Sequence, residues 1–292
     1  SKIQKSVESF PAQIQKLHFI SRNLTKTSNS FQYTTIKAKF STASKKEAID
    51  DLDYRYEFAS PKAPQRKFEF RPITKANLAA ANEQVINTFV AGEPIGVCLG
   101  VNKTHMEEAY NKVVQRSFEE NLGFVCFEQS TGKLALVTAS CDCYNAEKDP
   151  VFLPSNDPVV QEYHDVFGEF EQSLAEYKPR EFNDLICFNI GSCSPEFQGL
   201  GLVHEAFKFI RDKHPIMSKS KVIVLTATNP KQLAVVINSG WKSKKKINLV
   251  QYTNKKGERP LKDIALTYKK LGIIDDTYDM HFLELNRKEH KV

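Results

Sequence analysis

Ser194-Pro195-Glu196-Phe197-Gln198-Gly199-Leu200-Gly201-Leu202-Val203 is the stretch on which the fold reading turns. An apolar, strand-like run, Leu185 to Ile190, leads into it, and an amphipathic stretch, His204 to Lys213, follows. A glycine-containing turn between a strand and a helix N-terminus aims several backbone N–H groups at one point. The positive end of the helix dipole lies there too, so a phosphate is well held. Many such turns bind nothing, and the next segment is what adds meaning. Lys221 to Ala227 is a β-rich apolar run, followed by Asn229-Pro230-Lys231-Gln232-Leu233-Ala234-Val235-Val236-Ile237-Asn238-Ser239-Gly240-Trp241.

Together these segments resemble the GNAT acetyltransferase superfamily. Its pyrophosphate loop reads Arg or Gln, Gly, any, Gly, any, Gly or Ala, and Gln198 to Val203 matches all but the last position. The family's next motif sets an Asn eleven residues before a Gly-aromatic pair, as Asn229 stands before Gly240-Trp241. The resemblance implies an α/β (α+β) GNAT fold, a mixed, mostly antiparallel sheet of six to seven strands flanked by helices. It also implies acetyl-CoA as co-substrate, with no metal. The cofactor-binding residues would be Cys193, Gln198, Gly199, Leu200, Gly201, Leu202, Val203 and Asn229. Val203 departs from the pattern by putting a β-branched side chain where the backbone must approach a phosphate. Asn229 can equally be the N-cap of the helix that Pro230 begins. A backbone N–H near Ser192 or Cys193 would polarise the thioester carbonyl.

Glu93-Pro94, within Ala91-Gly92-Glu93-Pro94-Ile95, resembles the arylalkylamine N-acetyltransferase branch, notably its insect-type members. The resemblance implies direct transfer to a primary amine, on a small molecule or a peptide, with Glu93 as general base. The plain alternative for Glu93 is a solvated loop carboxylate beside a turn proline. Many family members carry a Tyr proton donor where this chain has Val236. A thiol of pKa near 8.5 nevertheless leaves fairly well unprotonated. These departures keep a second expectation open: a weak or inactive GNAT-fold structural subunit of a mitochondrial protein complex.

Composition narrows the rest. The 292 residues are 41% hydrophobic and carry a net charge of +6. Residues 1–46 hold nine Lys or Arg and one acid, which leaves 32 of the 41 basic and 34 of the 35 acidic residues for the remainder. The remainder is nearly neutral, so a nucleic-acid role loses its electrostatic support. No apolar run reaches the roughly 20 residues of a membrane span. The leader 1–46, rich in Ser, Thr and Lys, has the composition of a mitochondrial transit segment, and Lys39-Phe40-Ser41-Thr42 resembles the end of one. The expected location is mitochondrial, otherwise cytoplasmic. None of the six cysteines forms a Cys-x-x-Cys pair, which argues for reduced thiols.

The pattern predicts a polar connector over 47–66, a GNAT domain over 67–270 and a polar tail over 271–292. Within the domain it predicts a strand at 68–73, a helix at 75–89 capped by Thr74, a loop at 90–101 and a helix at 104–120. A hairpin at 123–141 follows, then a long excursion with a helix at 158–177. The glycine-loop strand and helix come next, then a strand at 222–227, a helix at 231–238 and strands at 246–252 and 264–268.

Overall fold

The computed structural model describes residues 53–144, 154–170, 173–174 and 176–286; the leader 1–46 lies outside them. Tyr54, Tyr56 and Phe58 alternate with Arg55 and Glu57, a period of two that gives a strand one apolar face. Strand β1, Tyr56–Ser60, turns at Pro61-Lys62 into β2, Ala63–Pro72. Residues 56–66 are therefore a hairpin and not polar connector. The prolines that argued for a connector sit in the turn and at the start of β2, where no central ladder bond is lost.

Helix α1 spans Leu78–Gly92. Thr74 is not its cap: the Thr74 N–H donates to Asn77 Oδ1 at 2.8 Å, and its carbonyl accepts from Leu78 N–H, in a turn that precedes the helix. The expected loop 90–101 contains a short helix, α2, Pro94–Leu99. Helix α3, Lys103–Glu119, starts from a capping box made by Asn102 and His105. Strands β3, Phe124–Glu128, and β4, Leu134–Asp142, form the expected hairpin. Helix α4, Pro158–Gly168, is shorter than expected. Then come β5, Leu185–Cys193, α5, Leu202–Asp212, β6, Val222–Ala227, and α6, Pro230–Asn238.

The C-terminal third corrects two expectations. Strand β7 is Lys242–Asn248, and 264–268 is not a strand but helix α7, Ile264–Lys270. Ile264 and Tyr268 bury on one helical face while Leu266, between them, is 68% exposed. The last strand, β8, Asp279–Asn286, comes from the presumed polar tail. Its Met280, Phe282, Leu283 and Leu285 are buried. The charged residues among them had disguised a strand that enters the sheet only through long-range pairing.

Among the described residues the sheet has eight strands, one more than the upper expectation, in the order β1-β2-β3-β4-β5-β6-β8-β7. Among these eight described strands, only β5 and β6 run parallel. Edge strand β7 exposes lysines, as unpaired edges commonly do. Lys246 pairs with Asp279 at 2.8 Å and Lys245 Nζ lies 5.6 Å from the Phe170 ring centroid, so these cations have local partners. Among the described residues no helix is long and apolar enough to cross a membrane.

Two apolar layers sandwich the sheet. One holds Val85, Ile86, Met106, Val113, Val125 and Val137 under α1 and α3. The other holds Phe68, Phe70, Phe124, Leu202, Phe207, Phe209, Val236 and Trp241 under α5 and α6. His214 closes the second layer and is fully buried. Its Nδ1 accepts the N–H groups of Ile216 and Met217, at 3.3 and 3.2 Å, which fixes the proton on Nε2, facing Tyr54 Oη at 3.4 Å. Burial pulls its pKa down to about 3. A depressed imidazole stabilises the fold above the unfolded pKa and loses that contribution as pH falls from about 6.5 toward 3. The melting temperature is therefore expected to drop steadily between pH 7 and 4.5. His214→Gln, which cannot charge, should flatten the slope in scanning calorimetry.

Candidate active site

The feature that positions the site is a break in the sheet. Strands β5 and β6 pair from Leu185↔Val222 to Phe188↔Leu225 and no further. Beyond that point β5 stays with β4 as far as Cys193, and β6 stays with β8 as far as Ala227. The register steps from Ser140↔Phe188 to Ala139↔Ile190, so Asn189 is an extra residue, a β-bulge that bends β5 away from β6. A wedge opens at the carboxyl ends of two parallel strands, where open α/β sheets bind ligands. Gly191, on this unpaired stretch of β5, is exposed, and among the described residues the buried Asn189 Oδ1 has no hydrogen-bond partner.

The glycine run follows β5 directly. Gly199 and Gly201 have φ of 79° and 83°, in the left-handed region that favours glycine. Gly201 caps α5 without any side-chain hydrogen bond. Among the described residues, the N–H groups of Gly199, Leu200 and Gly201 have no acceptor, and the first turn of α5 leaves its own N–H groups free by helix geometry. Val203 packs its side chain against the second apolar layer, as do Leu200 and the buried Leu202. Gln198 Nε2 donates to the Cys193 carbonyl at 3.4 Å, tying the loop to the strand end.

A second contact holds the loop from the far side. Ser60 Oγ donates to the Leu200 carbonyl at 2.8 Å. A Cβ on Gly201 would meet Pro61 Cγ at 3.1 Å, whereas one on Gly199 would meet nothing within 4 Å. Gly199→Ala is expected to cost about 1–2 kcal/mol, the left-handed penalty alone. Gly201→Ala should cost more, and Pro61→Ala should recover part of the difference. Urea unfolding of the three variants and the double mutant checks this.

Ser194 N–H bonds to Ala135 O of β4 at 3.0 Å. Strand alternation then turns the Cys193 N–H to the opposite edge, toward the wedge. The Cys193 thiol is pushed up to about 11 by burial and stays protonated. Asn229 sits after β6 and caps α6: its Oδ1 accepts Lys231 N–H at 2.9 Å. Val236 is fully buried in the second layer and faces no opening.

Glu93 is not a solvated loop residue; it is 7% exposed. It is the N-cap of α2, its Oε1 accepting Ile95 N–H at 3.2 Å and its Oε2 accepting Gly96 N–H at 2.6 Å. Thr228 Oγ1 donates to Oε1 at 3.0 Å. Thr228 lies between the end of β6 and Asn229, so one hydrogen bond brings Glu93 to the mouth of the wedge. Among the described residues no cation pairs with it, and burial pushes its pKa up against the pull of the Gly96, Ile95 and Thr228 donors. Desolvated carboxyls of this kind concentrate at functional sites.

Thr228 was not singled out from the sequence. It could have been found as the residue ending an apolar strand beside Asn229.

No protein-family model and no curated protein matches the chain. Solved structures do. The C-terminal condensation domain of Ebony, in complex with β-alanyl-dopamine, superposes with a TM-score of 0.60 at 14% identity, covering 76% of this chain and 99% of that one. Arylalkylamine N-acetyltransferase 2 from Aedes aegypti gives 0.55 at 16%, covering 75% and 98%. The mosquito arylalkylamine N-acetyltransferase like 5b gives 0.58 at 13%, covering 75% and 99%. With its split mixed sheet, its glycine turn and these neighbours, the chain has the GNAT fold in the form that arylalkylamine N-acetyltransferases share.

Proposed function

We propose that the protein is an acetyl-CoA-dependent N-acetyltransferase acting on a primary amine. The observation that carries this is the uncapped glycine turn, whose N–H groups converge beside a wedge that Glu93 reaches through Thr228. The residues present fit the co-substrate. The N–H groups of Gly199 to Val203 suit a pyrophosphate, the Cys193 N–H suits a carbonyl oxygen, and the Asn229 amide keeps its NH2 to donate once its oxygen is used by the cap. Acetyl-CoA, when bound, supplies the acetyl thioester.

The work of this chain is then binding and proton removal. An ammonium acceptor must lose a proton before its nitrogen can attack. A carboxylate whose pKa is raised by burial is a better base than an exposed one. Each oxygen of Glu93 already accepts hydrogen bonds, so the proton reaches it through a water or the Thr228 hydroxyl. The acceptor amine itself is proposed only as a class, from small arylalkylamines to peptide N-termini.

Isothermal titration tests the reading: CoA and acetyl-CoA should bind at micromolar to millimolar concentration, and absence of binding at millimolar concentration overturns it. The alternative of a GNAT-fold structural subunit is favoured by Val236, which occupies the usual donor position and is sealed in the core. It predicts no CoA binding and co-migration with a larger assembly on native gels. Mitochondrial location rests on the acid-poor leader 1–46, and a protease-protected import assay tests it.

A further inference from the structure

One peptide of the glycine turn is held by a residue 140 positions earlier in the chain. Strands β1 and β2 pair in register as far as Ala59↔Lys67, and then the register breaks, so that Ser60 stands opposite Ala63. A break of this kind re-aims the side chain beside it. Ser60 is 1% exposed although it sits at a hairpin tip next to the exposed Pro61 and Lys62. Its Oγ accepts the N–H groups of Lys62 and Ala63, at 3.3 and 3.0 Å, and donates to the Leu200 carbonyl at 2.8 Å. A hydroxyl has two lone pairs and one proton. Both lone pairs are taken within the hairpin, so the proton is committed to Leu200.

No cis peptide occurs among the described residues, and in a trans peptide the C=O and the N–H point in opposite directions. With its carbonyl held on the hairpin, the Leu200–Gly201 peptide turns the Gly201 N–H away from the hairpin. Gly201 does not choose that orientation by itself. Its φ is 83°, but glycine takes φ of either sign, and a rotation of the peptide plane would put the carbonyl where the N–H stands. An N–H attracts a phosphate and a carbonyl oxygen repels it. We infer that Ser60 is a positioning residue for CoA binding: its hydroxyl locks the Leu200–Gly201 peptide with the Gly201 N–H turned toward the pyrophosphate. This rests on the proposed reading of the turn as a pyrophosphate loop. Pro61 packs at the same glycine, its ring carbons 3.1 to 3.3 Å from where a Cβ on Gly201 would stand. The Tyr56 ring of β1 lies 5.2 Å from that of Phe209 in α5, the helix that Gly201 caps. Donor and loop are thus anchored to one helix, which keeps the 2.8 Å contact in place.

Ser60→Ala removes the donor. Isothermal titration well below the melting temperature should show CoA binding about tenfold weaker, the loss of about one hydrogen bond to a charged group. Ser60→Thr, which keeps the hydroxyl, should restore most of the affinity. The 1H–15N residual dipolar coupling of Gly201 reads the peptide orientation in the ligand-free protein; it should change in Ser60→Ala and return in Ser60→Thr. A serine that serves the hairpin turn alone would lower the melting temperature and leave affinity and coupling in place. If Ser60→Ala fails to fold, Ser60→Cys, whose thiol is a weaker donor, carries the test with a smaller shift of the same sign. Either an affinity for CoA within about twofold of wild type or an unmoved Gly201 coupling, in the variants that fold, overturns the inference. If the wild-type protein binds no CoA, the proposed function fails, and the Gly201 coupling alone decides whether Ser60 sets the peptide.

Discussion

Glu93→Gln is expected to lower kcat/KM for acetyl transfer by about 100- to 10,000-fold, the usual range for loss of a general base. The pH profile separates this from a mere loss of structure. Burial raises the Glu93 pKa, so wild-type activity should fall on the acid side at a pH above the ordinary carboxylate range. In the glutamine variant that limb should vanish along with the rate. Stability has the opposite sign. A carboxyl whose folded pKa is raised favours the fold in its protonated form, a contribution present at low pH and lost as pH rises through the folded value. Glutamine mimics the protonated acid, so Glu93→Gln should lose this pH dependence, as denaturant titrations at pH 5 and 8 can measure. Glu93→Ala should be worse for folding. It removes the α2 cap, worth about 0.5–2 kcal/mol, and strands the buried Thr228 hydroxyl. Binding of CoA at the glycine turn, which rests on backbone N–H groups, should change little in Glu93→Gln. An unchanged turnover would remove Glu93 from the reaction.

The largest loss of stability is expected at Phe209. Its ring centroid lies 5.6 Å from that of Tyr54, 5.2 Å from Tyr56, 5.1 Å from Phe70 and 5.1 Å from Phe124, and 5.5 Å from the His214 ring. It is 3% exposed. Phe209→Ala opens a cavity that five rings cannot collapse to fill, at a cost of about 3–5 kcal/mol. For a domain of this size that is a fall of about 10 °C in melting temperature. The effect also has a direction in space. Tyr54 and Tyr56 attach the β1–β2 hairpin to α5 through Phe209, and the tip of that hairpin, Ser60-Pro61, steadies the glycine turn. CoA affinity should therefore weaken in Phe209→Ala, measured below its melting temperature. Phe209→Leu, which keeps most of the volume, should lose about half the stability cost and little affinity.

The sequence determined the parts whose information is local. The glycine turn, the strands at 124–128, 134–142 and 222–227 and the helix after Asn229 follow from periodicities of two and 3.6 and from turn chemistry. So does the α5 helix, and with these elements in order the GNAT fold was legible from two motifs and a strand–helix alternation. Gly199, Gly201, Asn229 and Glu93 stand out in the sequence because each sits in a short signature, whereas Cys193 is named only by its place at the end of its strand. The misses share a cause. Strand β1 hid behind Pro61 and Pro64, and β8 hid behind Asp279, His281 and Glu284, because a strand is stable only through partners far away in the chain. Helix α7 was mistaken for a strand because seven residues carry too few turns for a period to stand out.

What only the tertiary structure decided is the environment. The same Glu93-Pro94 dipeptide fits a solvated loop or a buried cap, and only the packing of α2 against Thr228 and Tyr163 makes it a desolvated carboxylate. Val203 reads in one dimension only as a β-branched residue in a glycine loop, and the structure shows its half-buried side chain packed against the second apolar layer. Position along the chain names the groups, but pKa, orientation and access depend on distances between residues that the sequence keeps apart.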